Sequence, residues 1–369
     1  MKMQDEDCRT ERFRSPVKTP LQWIILIAVL AAILYVFTWD EATASPPKPF
    51  GQIVHPNNTS NVKEKDTVLL IWFIPFGRKT QLKSCATEFR IEGCCLTDDR
   101  NAYLDADGVL LHHRDIARDM SNLPRLPRPV FQKWIWMLFE SPHNSQKIPG
   151  LDDLFNVTMS YRADADILVR EQLNPKSQGS EDLVPLEAKS KMVCWVVSNW
   201  NENYARVKYY RELKNHIEVE LFGSHAGRRL SSEEYIAMMK SCKFYLSFEN
   251  TLQCSDHVAV DYMTEKVYNP LRFGVVPVVL GPPRSSYEKF IPKDAFIHVD
   301  DFNTPKELAN YLHMLNKDDE KYLQFFGWRK HFIVTKVDFP LEHACRACQY
   351  IRQRKGFQVF KNLSKWYWG

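Results

Sequence analysis

The stretch FYLSFENTLQCSDHVAVDYMTEK, Phe244–Lys266, decides how the second half of this 369-residue chain is read. Its opening apolar run is short and bounded by polar residues, which predicts a buried strand ending in Glu249-Asn250. Thr264-Glu265-Lys266 then opens a helix. A carboxylate there can accept two hydrogen bonds from a ribose diol, and the adjacent lysine can meet phosphate oxygens. A capped helix carrying an ion pair accounts for the same residues, so the local pattern leaves both readings open.

Working outward, the chain alternates. Upstream, KMVCWVV (Lys191–Val197) predicts a buried strand, SNWNEN a polar turn, and a helix follows from about Ala205. A strand over Ile217–Phe222 leads to a helix opened by Ser231, with Glu234 three residues on as a capping box. Downstream, a helix around Thr264–Leu271 precedes a strand at Val275–Leu280, and Thr304-Pro305 starts a further helix with proline at its first position. In the first half, VLLIWFIPF from Val68, Gly108–His113 and FQKWIWMLFESP (Phe131–Pro142) are strand candidates. Such alternation implies α/β architecture, with parallel sheets covered on both faces. Two α/β domains with a cleft between them fit the length, and ligands in such folds bind at the carboxyl ends of strands.

The 49 basic and 45 acidic residues nearly cancel, and no basic run points to a nucleic-acid partner. Pro20–Trp39 carries no charge; twenty residues at about 1.5 Å each span the roughly 30 Å of a bilayer core. Arg9, Arg12, Arg14 and Lys18 precede it, and Asp40 and Glu41 follow. The positive-inside rule then puts residues 1–19 in the cytosol and the body in the lumen. A cleaved signal peptide is the rival, but the apolar run exceeds the usual h-region. Residues 40–66, with SPPKP and HPNNTSN, read as a lumenal stem. Sequons at Asn57, Asn58, Asn156 and Asn362 suit that compartment, as do the eight of nine cysteines beyond the anchor.

Arg206 falls in the first turn of its helix, where a basic residue beside free N–H groups suits a diphosphate; on local grounds a solvated surface arginine is the simpler reading. Here the segments combine. FYLSFEN, DYMTEK and GVVPVVLGPPRSSYEKFIP occur in order with KWIWMLFESP, NVTMSYRADADI, VCWVVSNWNENYARVKYY and the terminal HACRAC and KWYWG. This set resembles the α-1,3-fucosyltransferases of glycosyltransferase family 10 over essentially all of Val68–Gly369, with the vertebrate type that makes Lewis x on N-acetyllactosamine the nearest in pattern. The resemblance implies a GT-B-like fold of two Rossmann-type domains, an acceptor-side domain over 67–185 and a GDP-fucose-binding domain over 186–369. It implies a Golgi membrane enzyme that inverts the anomeric centre. The donor is GDP-β-L-fucose and the acceptors are N-acetyllactosamine glycans on glycoproteins or glycolipids. By resemblance Glu140 is the general base for the 3-hydroxyl of N-acetylglucosamine. Arg206 and Lys266 hold the diphosphate, while Ser198, Asn199, Tyr245, Asn250, Tyr262 and Glu265 supply the remaining donor contacts.

The family pattern also pairs Cys85 with Cys345 and Cys94 with Cys348, and Cys194 with Cys242 is the expected third bond. Read alone, Cys345-Arg-Ala-Cys348 also fits a redox pair or half of a zinc site with His343; the oxidising lumen favours disulfides. Asp105-Ala-Asp107 and Asp164-Ala-Asp166 both resemble a D-x-D manganese motif. No metal is expected to be obligatory, manganese being at most stimulatory, because positive side chains can neutralise the leaving group. Three departures stand out. LQCSDHVAV (Leu252–Val260) is an insertion, and Val169-Arg170-Glu171-Gln172 replaces V-P-Y-G. Arg78 replaces a glutamine expected near the acceptor. The first two motivate an alternative, a weakened relative acting as a lumenal glycan-binding or chaperone-like protein. An intact enzyme requires Glu140 to share a cleft with Arg206 and Lys266.

Overall fold

The computed structural model describes residues 65–77, 81–176, 189–250 and 261–369. The anchor, the stem up to residue 64 with Asn57 and Asn58, Arg78, Cys254 and the Leu252–Val260 insertion lie outside these residues. Among the described residues no helix is long and apolar enough to cross a membrane.

Two all-parallel sheets of five strands carry the structure. The first comprises β1 (Thr67–Ile71), β2 (Cys94–Thr97), β3 (Gly108–His112), β4 (Lys133–Leu138) and β5 (Val157–Ser160), in the order β2-β1-β3-β4-β5. An antiparallel pair follows from β6 (Gln172–Pro175) and the later β12 (Phe332–Thr335). The second sheet holds β7 (Lys191–Val196), β8 (Glu220–Phe222), β9 (Cys242–Phe248), β10 (Val276–Leu280) and β11 (Ile297–His298), ordered β8-β7-β9-β10-β11. Each sheet thus repeats one winding: the second strand lies outside the first, and the third returns to its other side. The order reverses between β1 and β3, and again between β7 and β9. A crevice opens there at the carboxyl ends, because the connections leave in opposite directions.

Both sheets are buried on two faces, which is why their strands read as continuous apolar runs. On the second sheet Trp195, Leu246 and Val278 pack beneath the helices Ala205–Leu213 and Pro305–Lys317, through Val207, Leu213, Leu308 and Leu312. The opposite face meets Val267, Tyr268 and Leu271 of helix Glu265–Phe273, and Met238 and Met239 of helix Ser232–Ser241. The capping box opening that last helix forms as the sequence predicts: Glu234 N donates to Ser231 Oγ at 3.2 Å and Ser231 N to Glu234 Oε2 at 2.7 Å.

The first sheet departs from regular strand–helix alternation. Between its strands, among the described residues, the chain makes one α-helix, Cys85–Phe89, and otherwise short 3-10 helices, turns and loops. Its faces are covered from far along the sequence. Helix Leu341–Gln353 lays Ala344, Ala347, Cys348 and Ile351 on Leu69, Leu110 and Ile135. Helix Leu363–Trp368 sets Leu363 and Tyr367 against Trp134 and Trp136 on the other side. Disulfides Cys85–Cys345 and Cys94–Cys348 fasten this return, and Cys194–Cys242 joins β7 to the start of β9. Among the described residues Cys95 alone is outside a disulfide.

Two expectations are corrected. The strand foreseen at Ile217–Phe222 begins at Glu220, because Ile217 N still bonds back to Leu213 O and closes the preceding helix. Asn156 is only 1% exposed; its Nδ2 donates to Gln358 O and its Oδ1 accepts from Trp134 N. The amide nitrogen that a glycan would occupy is thus turned into the fold, whereas Asn362 is exposed.

Candidate active site

The carboxyl ends of β7 and β9 flank the reversal point of the second sheet, and the residues just beyond them are Ser198-Asn199 and Glu249-Asn250. Asn199 Nδ2 approaches Asn250 Oδ1 at 3.4 Å, and Arg206 Nη2 donates to Asn199 O. Arg206 is 4% exposed, so the solvated surface reading is overturned. Burial lowers its pKa, while the charges of Glu249 and, farther off, Glu140 work against that. Its Nε has no hydrogen-bond partner among the described residues. An unsatisfied donor on a buried cation is costly in an empty site and apt for an anion.

Helix Glu265–Phe273 supplies the second cation. Thr264 is its N-cap, and Glu249, fully buried at the end of β9, accepts from both Thr264 N at 2.8 Å and Thr264 Oγ1 at 3.0 Å. Lys266 Nζ lies 3.4 Å from Glu249 Oε2 and 3.2 Å from Glu265 Oε1. Burial disfavours the lysine's charge, but the two carboxylates prevail and hold its pKa above the ordinary value. Desolvation raises the Glu249 pKa and Lys266 opposes it. The helix therefore opens with an ammonium held between two carboxylates, beside the positive end of the helix dipole.

The first sheet contributes Glu140, two residues past β4. Its Oε1 accepts from Tyr262 Oη at 2.6 Å and from Ser141 N at 3.0 Å; Oε2 lies 3.3 Å from Arg114 Nη1. The side chain keeps 23% exposure, and Tyr367 Oη donates to the Glu140 carbonyl. Ser141 Oγ and Asn144 Nδ2 both donate to Asn250 O, at 3.3 and 2.6 Å. One chain of contacts thus runs from Glu140 through Ser141, Asn250 and Asn199 to Arg206.

The expected donor residues fall into distinct positions. Ser198 and Glu265 line a cleft of about 750 Å³ with Tyr235, Asn269, Arg272 and Glu171. Asn199, Asn250, Arg206 and Lys266 gather at the crevice beside it. Tyr245 stands behind the wall, packed with Cys194 and Cys242, its hydroxyl meeting Tyr235. Tyr262 is joined to Glu140. Sequence reasoning did not assign Glu249, although its place at the strand end was visible, nor Arg114, Tyr235 and Arg272, which carry no local signal. Asp107 accepts from Val68 N, Asp164 pairs with Arg162 and Trp366, and Asp166 caps Thr158.

Fold and site together define a doubly wound α/β protein whose switch-point crevice presents a buried arginine and a partly buried lysine beside a positioned carboxylate. Residues 186–366 match the family described as glycosyltransferase family 10 (fucosyltransferase) C-term, and residues 64–172 match fucosyltransferase, N-terminal. The 4-galactosyl-N-acetylglucosaminide 3-alpha-L-fucosyltransferase 9 of Mus musculus is 43% identical over 349 residues, covering 94% of this chain and 95% of the relative. The 3-galactosyl-N-acetylglucosaminide 4-alpha-L-fucosyltransferase FUT3 of Pan troglodytes is 39% identical, covering 93% and 94% respectively. A crystal structure of an alpha1,3-fucosyltransferase with GDP-fucose aligns at a TM-score of 0.46 and 17% identity, over 77% of this chain and 85% of that one. The chain belongs to the glycosyltransferase family 10 fucosyltransferases.

Proposed function

We propose that this enzyme transfers L-fucose from GDP-β-L-fucose to the 3-hydroxyl of N-acetylglucosamine in N-acetyllactosamine glycans, with inversion and with Glu140 as general base. The observation that carries the reading is the contact chain linking Glu140 to Arg206, since an inverting transfer needs a base and a stabilised leaving group in one site. Arg206, Lys266 and the N-terminus of helix Glu265–Phe273 receive the diphosphate and neutralise its charge as GDP departs, with no metal required. Ser198 and Glu265 place the nucleoside in the adjoining cleft. Glu140, one oxygen held by Tyr262 and Ser141 and the other beside Arg114, takes the proton of the acceptor hydroxyl as that oxygen attacks the anomeric carbon. The acceptor lies along Phe76, a half-exposed ring held at φ 60° and in edge contact with His112. Backbone in that region is strained for a non-glycine residue and recurs at ligand sites. The identities of the relatives support the acceptor class. The same reading gives two GT-B-like domains, 67–185 and 186–369, behind a Golgi signal anchor at 20–39.

The test is full-length protein in detergent with GDP-fucose and N-acetyllactosamine. An α-linked fucoside from the β-linked donor is expected, and Glu140→Gln should lower kcat by roughly 10²–10⁴-fold. Full activity in that variant removes Glu140 as base; no transfer by the unaltered protein removes the reading.

A further inference from the structure

Glu171 lies on the chain leaving the first sheet, between β5 and β6, yet its carboxylate reaches the second. Its Oε2 is 3.1 Å from Arg272 Nη2 on helix Glu265–Phe273, and the side chain is 15% exposed. Neighbouring Arg170 sets its guanidinium 3.2 Å from the ring centre of Phe290. The two residues pin this segment across the fold and leave Glu171 in the wall of the cleft that Ser198 and Glu265 line. Glu171 Oε2 and Arg272 Nη2 are both buried atoms, and each is the other's partner in this ion pair. Arg272 Nη1 is itself fixed by Asn269 Oδ1 at 2.7 Å.

Two carboxylates face this cleft. Glu265 adjoins Lys266, so a nucleotide with its diphosphate at Lys266 and Arg206 brings the ribose to Glu265 and leaves Glu171 for the base. An ionised carboxylate is acceptor-only, with two oxygens side by side. Guanine offers the matching pair of donors, N1–H and the 2-amino group, whereas adenine presents an acceptor at N1. The guanidinium beside the carboxylate is placed to hold its charge in the buried wall.

We propose that Glu171 reads the donor's base, selecting guanine through its N1–H and 2-amino edge while Arg272 positions the carboxylate. The proposal rests on the GDP-fucose reading above.

Calorimetric titration of the full-length protein in detergent with GDP and with inosine diphosphate, which lacks only the 2-amino group, tests it. The unaltered protein should bind GDP on the order of tenfold more tightly than inosine diphosphate, the discrimination expected of a bidentate base contact. Glu171→Gln should weaken GDP by a similar factor and bring the ratio close to one. Glu171→Asp should retain part of the preference. A Glu171→Gln protein that keeps the ratio, or that loses both nucleotides equally, overturns the proposal while leaving the donor assignment intact. An unaltered protein that binds the two alike does the same. Absence of GDP binding by the unaltered protein overturns the donor assignment itself.

Discussion

Tyr262 shows how much a single hydroxyl can be asked to do. The resemblance counted it among the donor contacts, but its Oη lies 2.6 Å from Glu140 Oε1, and its ring meets Tyr161 edge-on at 5.0 Å. Burial and the nearby Glu140 charge push its pKa well above the ordinary value, so it donates rather than ionises. A hydrogen bond to a charged group contributes about 1.5–3 kcal/mol, and the orientation it gives Glu140 matters only while a proton is being moved. Tyr262→Phe should therefore lower kcat roughly tenfold with the acceptor KM little changed. Steady-state kinetics with varied acceptor decide this, and a rise in KM at constant kcat would return Tyr262 to a binding role. None of this was legible locally, because the two residues are 122 positions apart.

At the scale of elements, β3 and β4 are locked by a buried histidine just past the end of β3. His113 Nδ1 accepts from Trp136 Nε1 at 3.1 Å, and its Nε2 therefore donates to Gln146 O at 2.7 Å. Both nitrogens are engaged in the neutral form, and desolvation lowers the pKa to about 4. The folded pKa is below the unfolded one, so this contribution is complete above about pH 6.5 and is lost as pH falls toward 4. Its full size is about 3 kcal/mol. Thermal unfolding followed from pH 7 to pH 4 should show a falling Tm, and His113→Gln, which keeps one donor and one acceptor, should flatten the slope. An equal slope in both proteins assigns the effect to other groups. The elements themselves were largely visible in the sequence: β4, β7, β9 and helix Glu265–Phe273 follow from apolar runs and a threonine cap. The two-residue β11 and the pair β6–β12 were not, since such short strands carry too few residues to show a period.

For the whole molecule, the C-terminal return is the structural device that reaches the site. Helix Leu363–Trp368 supports the loop carrying Glu140: Tyr367 Oη donates to the Glu140 carbonyl and Trp368 Nε1 to Ser145 O at 3.0 Å. The disulfides behind it close separations of 260 and 254 residues. Chain-entropy arguments give such a loop roughly 5–6 kcal/mol, though the two are nested and will not add fully. Replacing Cys345 and Cys348 together by serine, with Cys194–Cys242 left intact, should lower Tm by many degrees and lower kcat with it. Unfolding scans beside activity measurements test this; an unchanged Tm would show that packing of the return suffices without the bonds.

The sequence by itself determined the α/β class, the positions of the long strands and helices, the three cysteine pairings through the resemblance, and which charged residues crowd the ends of β7 and β9. Those features are local or are carried by motif order, and hydrophobic burial or capping enforces them one segment at a time. Only the tertiary structure decided that Arg206 is buried with an unsatisfied donor and that Tyr262 serves Glu140. It also removed Asn156 from the surface and set Glu171 of one half against Arg272 of the other. Each of these depends on desolvation and on contacts between segments far apart in the chain, and no spacing along the sequence encodes either.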